Sequence, residues 1–238
     1  DYSLFTAKAA YTADLANLFN TLTGYTRKPS FRKILVAPYT LHDEVIRMIR
    51  EESKAAKSGK EGRILIKVNS LVDPQSINEL YLASQAGVRI DLIVRGICGL
   101  IPGVRGLSEN IRVISLLGRF LEHSRVFHFR NAPVGKRTFL GSPDWMPRNF
   151  FRRIEVAFPV EDPTEEAKIM ESMEAFLRDN EFSTHLKSKG QYIQPSKRRR
   201  PFSAQGHFIS CSMNEAASKQ DSDSGSSSRK TENQSKGD

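Results

Sequence analysis

Cysteine is nearly absent from the sequence. Cys98 and Cys211 are the only two in 238 residues, too few for a disulfide framework. Cys98 sits in an apolar context and is expected to be a reduced, buried thiol. Long apolar runs are missing as well, since none reaches the ~18 residues of a membrane span. No signal pattern opens the chain, and its first residue is Asp1 rather than Met, so a piece of a longer protein or a processed chain is expected. Histidine is scarce at five residues, and tryptophan occurs once. What is present is an ordinary apolar share of 39% and a net charge of +9. Residues 1–180 carry about +5, residues 181–200 about +5 and residues 201–238 about −1. A basic balance favours an anionic partner without naming it: nucleic acid, polyphosphate, a nucleotide and an anionic membrane surface all remain open.

The apolar pattern alternates between helix and strand. Leu15, Leu18, Phe19 and Leu22 form a helical stripe in residues 10–24. Residues 34–37 read as a short strand ended by Pro38, and Leu41, Val45, Ile46, Met48 and Ile49 as a second helix. Arg63–Val68 is a strand. Asp73-Pro74 is a strong helix start, a capping carboxylate followed by proline at the first helical position, and Gly87 closes that helix. Arg89–Val94 is the next strand. Strand, helix and strand of this size make a βαβ unit with parallel pairing. Further strands are predicted at 111–116, 126–129, 138–140 and 152–160. Asp162-Pro163-Thr164-Glu165 opens a last helix, with a carboxylate three residues after the cap. Together these predict one α/β layer domain.

The candidate site lies between Ile90 and Val160. A strand runs into Arg95-Gly96, then glycines at 96, 99, 103 and 106 punctuate a loop. That loop reads either as a long surface crossover or as backbone that must approach an anion closely. Glu122-His123-Ser124-Arg125 precedes another strand. Residues two apart on a strand point the same way, so His123 and Arg125 could face one phosphate, with Glu122 orienting His123. A core histidine with a backbone partner fits the same spacing. Gly141-Ser142-Pro143-Asp144-Trp145 ends a strand in a turn, and Arg152 and Arg153 follow. Cations at strand ends around a histidine describe a polyanion site. His128 alternates within a strand, as a satisfied sheet residue would. From Lys187 the chain is basic and then rich in Ser, Asp, Lys and Gly, a composition that predicts disorder. Lys197–Arg200 there reads most simply as a solvated charge run.

His123-x-Arg125 followed by Gly141-Ser142-x-Asp144 resembles the half-motif of the phospholipase D superfamily, with arginine where lysine is usual and no aspartate at the usual short spacing. Longer strings are more specific: Asn69-Ser-Leu-Val-Asp-Pro, Ile90-Asp-Leu-Ile-Val-Arg-Gly-Ile-Cys, Gly106-Leu-Ser-Glu-Asn-Ile-Arg-Val, Gly118-Arg-Phe-Leu-Glu-His-Ser-Arg and Asp144-Trp-Met-Pro-Arg-Asn. Through these, residues 1–182 closely resemble the C-terminal half of polyphosphate kinases of the first type. The resemblance implies a phospholipase D-like mixed sheet flanked by helices, with residues 1–33 the remnant of a preceding domain, 34–182 the C-terminal domain and 183–238 a basic linker and disordered tail. It implies reversible transfer of the terminal phosphate of ATP to polyphosphate through a phosphohistidine that lies upstream of Asp1. Carried over by motif, Arg95 and His123 contact ATP, His123 also assists transfer as general acid or base, and Arg153 and Arg125 bind phosphate. Mg²⁺ is implied as cofactor, with ligands upstream of this chain and none within it. ATP or ADP, polyphosphate and further copies of the chain are the implied partners. Nucleic acid is not expected, and a cytoplasmic or membrane-associated setting is. Phe150-Phe151 departs from the family, which usually has a hydrophobic residue and an aspartate there. A non-catalytic polyanion-binding module and a dimeric phosphodiesterase are the alternatives.

Overall fold

The computed structural model describes residues 2–25, 29–195 and 200–214. Nine strands build one mixed sheet: β1 (Leu35–Ala37), β2 (Arg63–Val68), β3 (Arg89–Val94), β4 (Ile111–Leu116), β5 (Arg125–Phe129), β6 (Thr138–Gly141), β7 (Glu155–Pro159), β8 (Ser183–Leu186) and β9 (Tyr192–Ile193). Their order across the sheet is β1-β7-β6-β5-β2-β3-β4-β8-β9. The βαβ expectation holds: β2 and β3 pair in parallel with Ile64 opposite Ile90, and β4 joins β3 in parallel. The remaining pairings are antiparallel, including β5 on β2.

Helices cover both faces of the sheet. They are α1 (Ala9–Leu22), α2 (Leu41–Lys57), α3 (Pro74–Gln85), α4 (Pro147–Phe151) and α5 (Pro163–Arg178), and residues 204–214 form a further helix, α6. The alternation along β2 divides the core. Ile64 and Ile66 pack with α2, α3 and the aromatic residues Phe127, Trp145 and Phe150. Leu65 faces the other way, onto Met173 and Phe176 of α5. Burying a large aliphatic side chain contributes about 1.5–3 kcal/mol, so burial on both faces makes β2 and β3 the centre of the sheet. The caps form as read: Asp73 accepts from the Ser76 N–H at 2.8 Å, and Asp162 from the Thr164 N–H at 2.7 Å.

Three expectations change. The α1 stripe does not turn inward as a whole: Leu18 is buried, but Leu15, Phe19 and Leu22 are exposed. The helix is rotated because Asp14 faces the sheet, where its carboxylate accepts the backbone N–H groups of Arg32, Lys33 and Ile34. Tyr11 beside it donates to the Pro159 carbonyl at 3.1 Å. The strand expected from Arg152 starts at Glu155, since residues 147–151 are helical. The third change concerns the linker and tail expected from residue 183. Strand β8 pairs with β4, and residues 200–214 pack onto the domain. Asp179 accepts from the Ala204 N–H at 2.8 Å, and Asn180 exchanges hydrogen bonds with Arg200 and Phe202. Phe208 meets Phe176 edge-on at 5.2 Å. Local composition underestimates such a segment, because its partners sit 20 or more residues away in sequence. The rest of the expected tail, 215–238, and most of Lys197–Arg200 lie outside the described residues.

Candidate functional site

The sheet topology gathers the site at one edge. β2 and β3 end there, while β5 and β7 run the other way and begin there. The chain segments 69–70, 95–96, 122–124, 142–145 and 152–154 therefore meet. Ligands of α/β sheets bind outside the carboxyl ends of parallel strands.

Asp144 organises this edge. It is buried, and its Oδ1 accepts the backbone N–H groups of Asn69 at 2.8 Å and Ser70 at 3.3 Å. Its position is held by Trp145, whose N–H donates to the Ser70 carbonyl and whose own carbonyl accepts from Val72 and Asp73. The Asp144 carboxylate faces the Arg125 fork, with Nε at 3.3 Å from Oδ1 and Nη2 at 3.5 Å from Oδ2. Across the strand ends, the Arg95 Nε donates to the Asn69 side-chain oxygen at 2.5 Å. Arg95 and Arg125 are thus hung from neighbouring groups of one small network. Gly96 makes this possible, since its N–H donates to the Asn69 carbonyl at 2.7 Å and a Cβ would stand 2.8 Å from that oxygen. The close approach that Gly96 permits here is to the Asn69 carbonyl.

His123 joins the cluster in an unexpected way. It lies in the loop before β5, not on the strand. The Arg125 Nη1 is 3.1 Å from its Nδ1 and 3.2 Å from its Nε2. The in-plane directions of the two ring nitrogens diverge, so a single atom this close to both lies over the ring face; the same Nη1 donates to the His123 carbonyl at 3.0 Å. Desolvation, then the charges of Arg125 and Arg95, lower the pKa of His123. At pH 7 it is neutral, with one N–H donor and one acceptor.

Glu122 does not orient His123. Its carboxylate pairs with Lys67 at 3.2 Å and accepts from the Gln205 side chain at 2.7 Å. Lys67, at the end of β2, is 2% exposed. Its ammonium also donates to the Ser124 hydroxyl at 2.8 Å and the Ser124 carbonyl at 3.2 Å, and lies 4.9 Å from the centre of the Phe176 ring. Burial lowers its pKa, against the opposing attraction of Glu122. Gln205, from α6, also bonds the backbone of Phe120 through both ends of its amide. Residues 120–124 are therefore tied down from beneath by Lys67 and from the side by Gln205.

Arg95, His123 and Arg125 are brought together, and Arg153 is not. Arg153 lies exposed at the same edge, and its guanidinium forms no hydrogen bond or ion pair with another described residue. A cleft of about 370 Å³ opens beside His123 and Arg125, with Tyr2, Ser142, Val156 and Phe158 among its walls. His128 is a satisfied sheet residue, as read. The Thr138 hydroxyl donates its one hydrogen to Glu166 at 2.8 Å, so the His128 Nδ1–H must donate to that hydroxyl at 2.8 Å. Phe151 rests against the His42 ring with centroids 4.7 Å apart.

Sequence reasoning missed Lys67, Asn69 and Gln205. A charge inside the apolar run Ile64-Leu-Ile-Lys-Val was a usable signal for Lys67, because a lysine is almost never fully buried without a partner. Gln205 carried no local signal. No group of three or more His, Cys, Asp or Glu among the described residues is placed to hold a metal ion. Asp144, Glu122 and Glu155 are committed to Arg125, to Lys67, and to Ser142 and Asn149 respectively. These residues do not fit a Mg²⁺ site.

Comparison with known proteins gives a consistent picture. The family model described as "Polyphosphate kinase C-terminal domain 2" matches residues 34–205. The polyphosphate kinase of Synechocystis sp. is 48% identical over 203 residues, covering 85% of this chain and 27% of that protein. That of Prosthecochloris aestuarii is 45% identical over 220 residues, covering 92% and 31%. The crystal structure of polyphosphate kinase from Porphyromonas gingivalis superposes with a TM-score of 0.83 at 39% identity, covering 90% of this chain and 33% of that one. This chain spans less than a third of the length of those two curated relatives.

Proposed function

The chain belongs to the polyphosphate kinase family, and from that premise we propose that it is the C-terminal phosphate-gripping part of an enzyme that moves the terminal phosphate of ATP onto polyphosphate and back. The observation that carries this reading is that the Arg95 and Arg125 guanidinium groups, each held by a neighbouring side chain, gather with His123 at one edge of the sheet. Phosphoryl transfer passes through a loose transition state with negative charge spread over the phosphoryl oxygens. Fixed cations stabilise that charge without having to reorganise, and arginine forks suit phosphate oxygens. Arg125 is pre-aligned by Asp144 and Arg95 by Asn69, so each meets a phosphate with its terminal nitrogens already placed. His123, in contact with Arg125, offers an N–H to a phosphate oxygen and an acceptor to a proton leaving one. Arg153, free at the same edge, binds phosphate further along the chain.

Formation of the phosphohistidine and binding of Mg²⁺ belong, on this reading, to the part of the enzyme outside this chain. Mg²⁺ would neutralise charge on the ATP phosphates there. A phosphodiesterase reading is not favoured, given the family to which the chain belongs.

A chimera tests the proposal. Residues 34–214 replace the matching segment of the Synechocystis polyphosphate kinase, and polyphosphate made from ATP is measured. Synthesis should persist, and His123→Ala should reduce kcat by about 100-fold or more, as expected for loss of an acid–base group. A His123→Ala chimera that synthesises as fast as its parent removes His123 from the mechanism.

A further inference from the structure

The same face of the sheet carries a second cationic concavity at the opposite end of β3. It is a cleft of about 780 Å³ with Arg89, Arg112, Arg178, His185, Lys187 and Arg200 in its walls. Arg89 and Arg95 open and follow one six-residue strand, which places the two clusters about 20 Å apart at the usual rise of ~3.3 Å per residue.

The acids near this cleft do not cancel its charge. Asp179 is buried and its carboxylate is taken up by the backbone N–H groups of Glu181, Phe182, Ser183 and Ala204. Glu174 is paired with Arg63. Asp91 is buried; its Oδ1 accepts from the Nε of Arg112 at 2.8 Å, and the Nε of Arg89 lies 3.3 Å from its Oδ2 as an ion pair. Arg112 thereby spends only Nε on the buried acid, which fixes its fork and leaves its terminal nitrogens, with the guanidinium of Arg89 beside it, for another oxyanion. Arg178, Lys187 and Arg200 form no ion pair among the described residues. The positive field is registered by His185, whose pKa is lowered by burial and then by Lys187 and Arg112.

We propose that this cleft is a second binding site for polyphosphate, gripping the chain away from its reacting end; the proposal rests on the function inferred above. The cleft offers little for a base to stack on: Phe202 carries Arg178 over one face at 4.5 Å, and His185 is the other ring among the lining residues. Single-stranded nucleic-acid sites depend on such rings, whereas a bare phosphate chain needs only spaced cations. Two grips on one chain raise its effective concentration at the first site. Long polymer is therefore held in preference to short.

The test uses the full chain with two probes, long-chain polyphosphate and tripolyphosphate, in calorimetric titrations at several salt concentrations. Arg178→Gln/Lys187→Gln leaves the Asp91 pairs intact and should fold normally, as checked by thermal unfolding. It should weaken long-chain binding by about 10-fold or more and flatten its salt dependence, with tripolyphosphate affinity changed by less than about twofold. Long-chain affinity that is unchanged in the double variant overturns the second site. An oligonucleotide of equal charge that displaces the long chain from the cleft equally well also overturns it, in favour of a nucleic-acid surface. The parent reading is checked separately by Arg125→Gln, which should weaken tripolyphosphate. If the unaltered chain binds neither probe, the proposed function fails and the second site with it.

Discussion

Replacing Lys67 with methionine keeps the aliphatic stem of the side chain and removes the buried ammonium. That group holds Ser124 through two oxygens and pairs with Glu122 at 3.2 Å. Removing one partner of a buried pair costs about 3–5 kcal/mol, since the other charge is stranded. Here the stranding is partial. Glu122 keeps the Gln205 amide at 2.7 Å, its side chain is 13% exposed, and methionine regains contact with the Phe176 ring. The expected net loss is about 2–3 kcal/mol, which lowers a urea midpoint by roughly 1–2 M at ordinary m-values. Lys67→Met/Glu122→Gln removes both charges and should recover most of the loss. Stability also acquires a distinct pH signature. Burial lowers the folded pKa of Lys67 below its unfolded value, so between the two the unfolded chain binds more protons and stability rises with pH. Lys67→Met should lose that alkaline rise. A single variant within about 0.5 kcal/mol of the unaltered chain, with the alkaline rise intact, would refute the assignment of Lys67 as the tether of the His123 loop.

Two further outcomes are expected. The pKa of His128 is lowered from 6.5 to about 4, so the unfolded state takes up the proton first and stability falls as pH drops from 6.5 towards 4. The full loss is about 3 kcal/mol at 1.36 kcal/mol per unit, and His128→Gln should flatten acid unfolding in that window as followed by circular dichroism. An equally steep slope in the variant would move the acid sensitivity elsewhere. Gln205→Ala deprives the Phe120 N–H, the Phe120 carbonyl and Glu122 of their partner. Hydrogen exchange at the Phe120 amide should accelerate by about 10- to 30-fold, equivalent to one or two lost hydrogen bonds, while the β2 and β3 amides remain protected. Unchanged exchange at Phe120 would show that α6 does not hold the loop.

Much of the framework could be read from residue order. Short apolar runs marked the strands, Asp73-Pro74 and Asp162-Pro163 marked helix starts, and the β2–α3–β3 unit implied parallel pairing. Each of these depends on residues within a few positions of one another. The cationic character at the strand ends was equally local, so Arg95, His123 and Arg125 could be named, and the long strings around them named the family. What the sequence could not decide was which polar group meets which. Glu122 sits next to His123 yet pairs with Lys67, 55 positions earlier, because the carboxylate turns inward to a buried ammonium. Asp144 is 19 residues from Arg125 yet faces it, because β5 and β6 bring their ends to one edge. α1 turns Asp14 inward and Leu15, Phe19 and Leu22 outward because three backbone N–H groups at residues 32–34 need an acceptor there. Residues 200–204 dock on the domain because Asp179 and Asn180 carry their backbone groups. These are long-range choices among hydrogen-bond and charge partners. Buried polar groups must all be satisfied at once, and only the assembled sheet determines which partners are within reach.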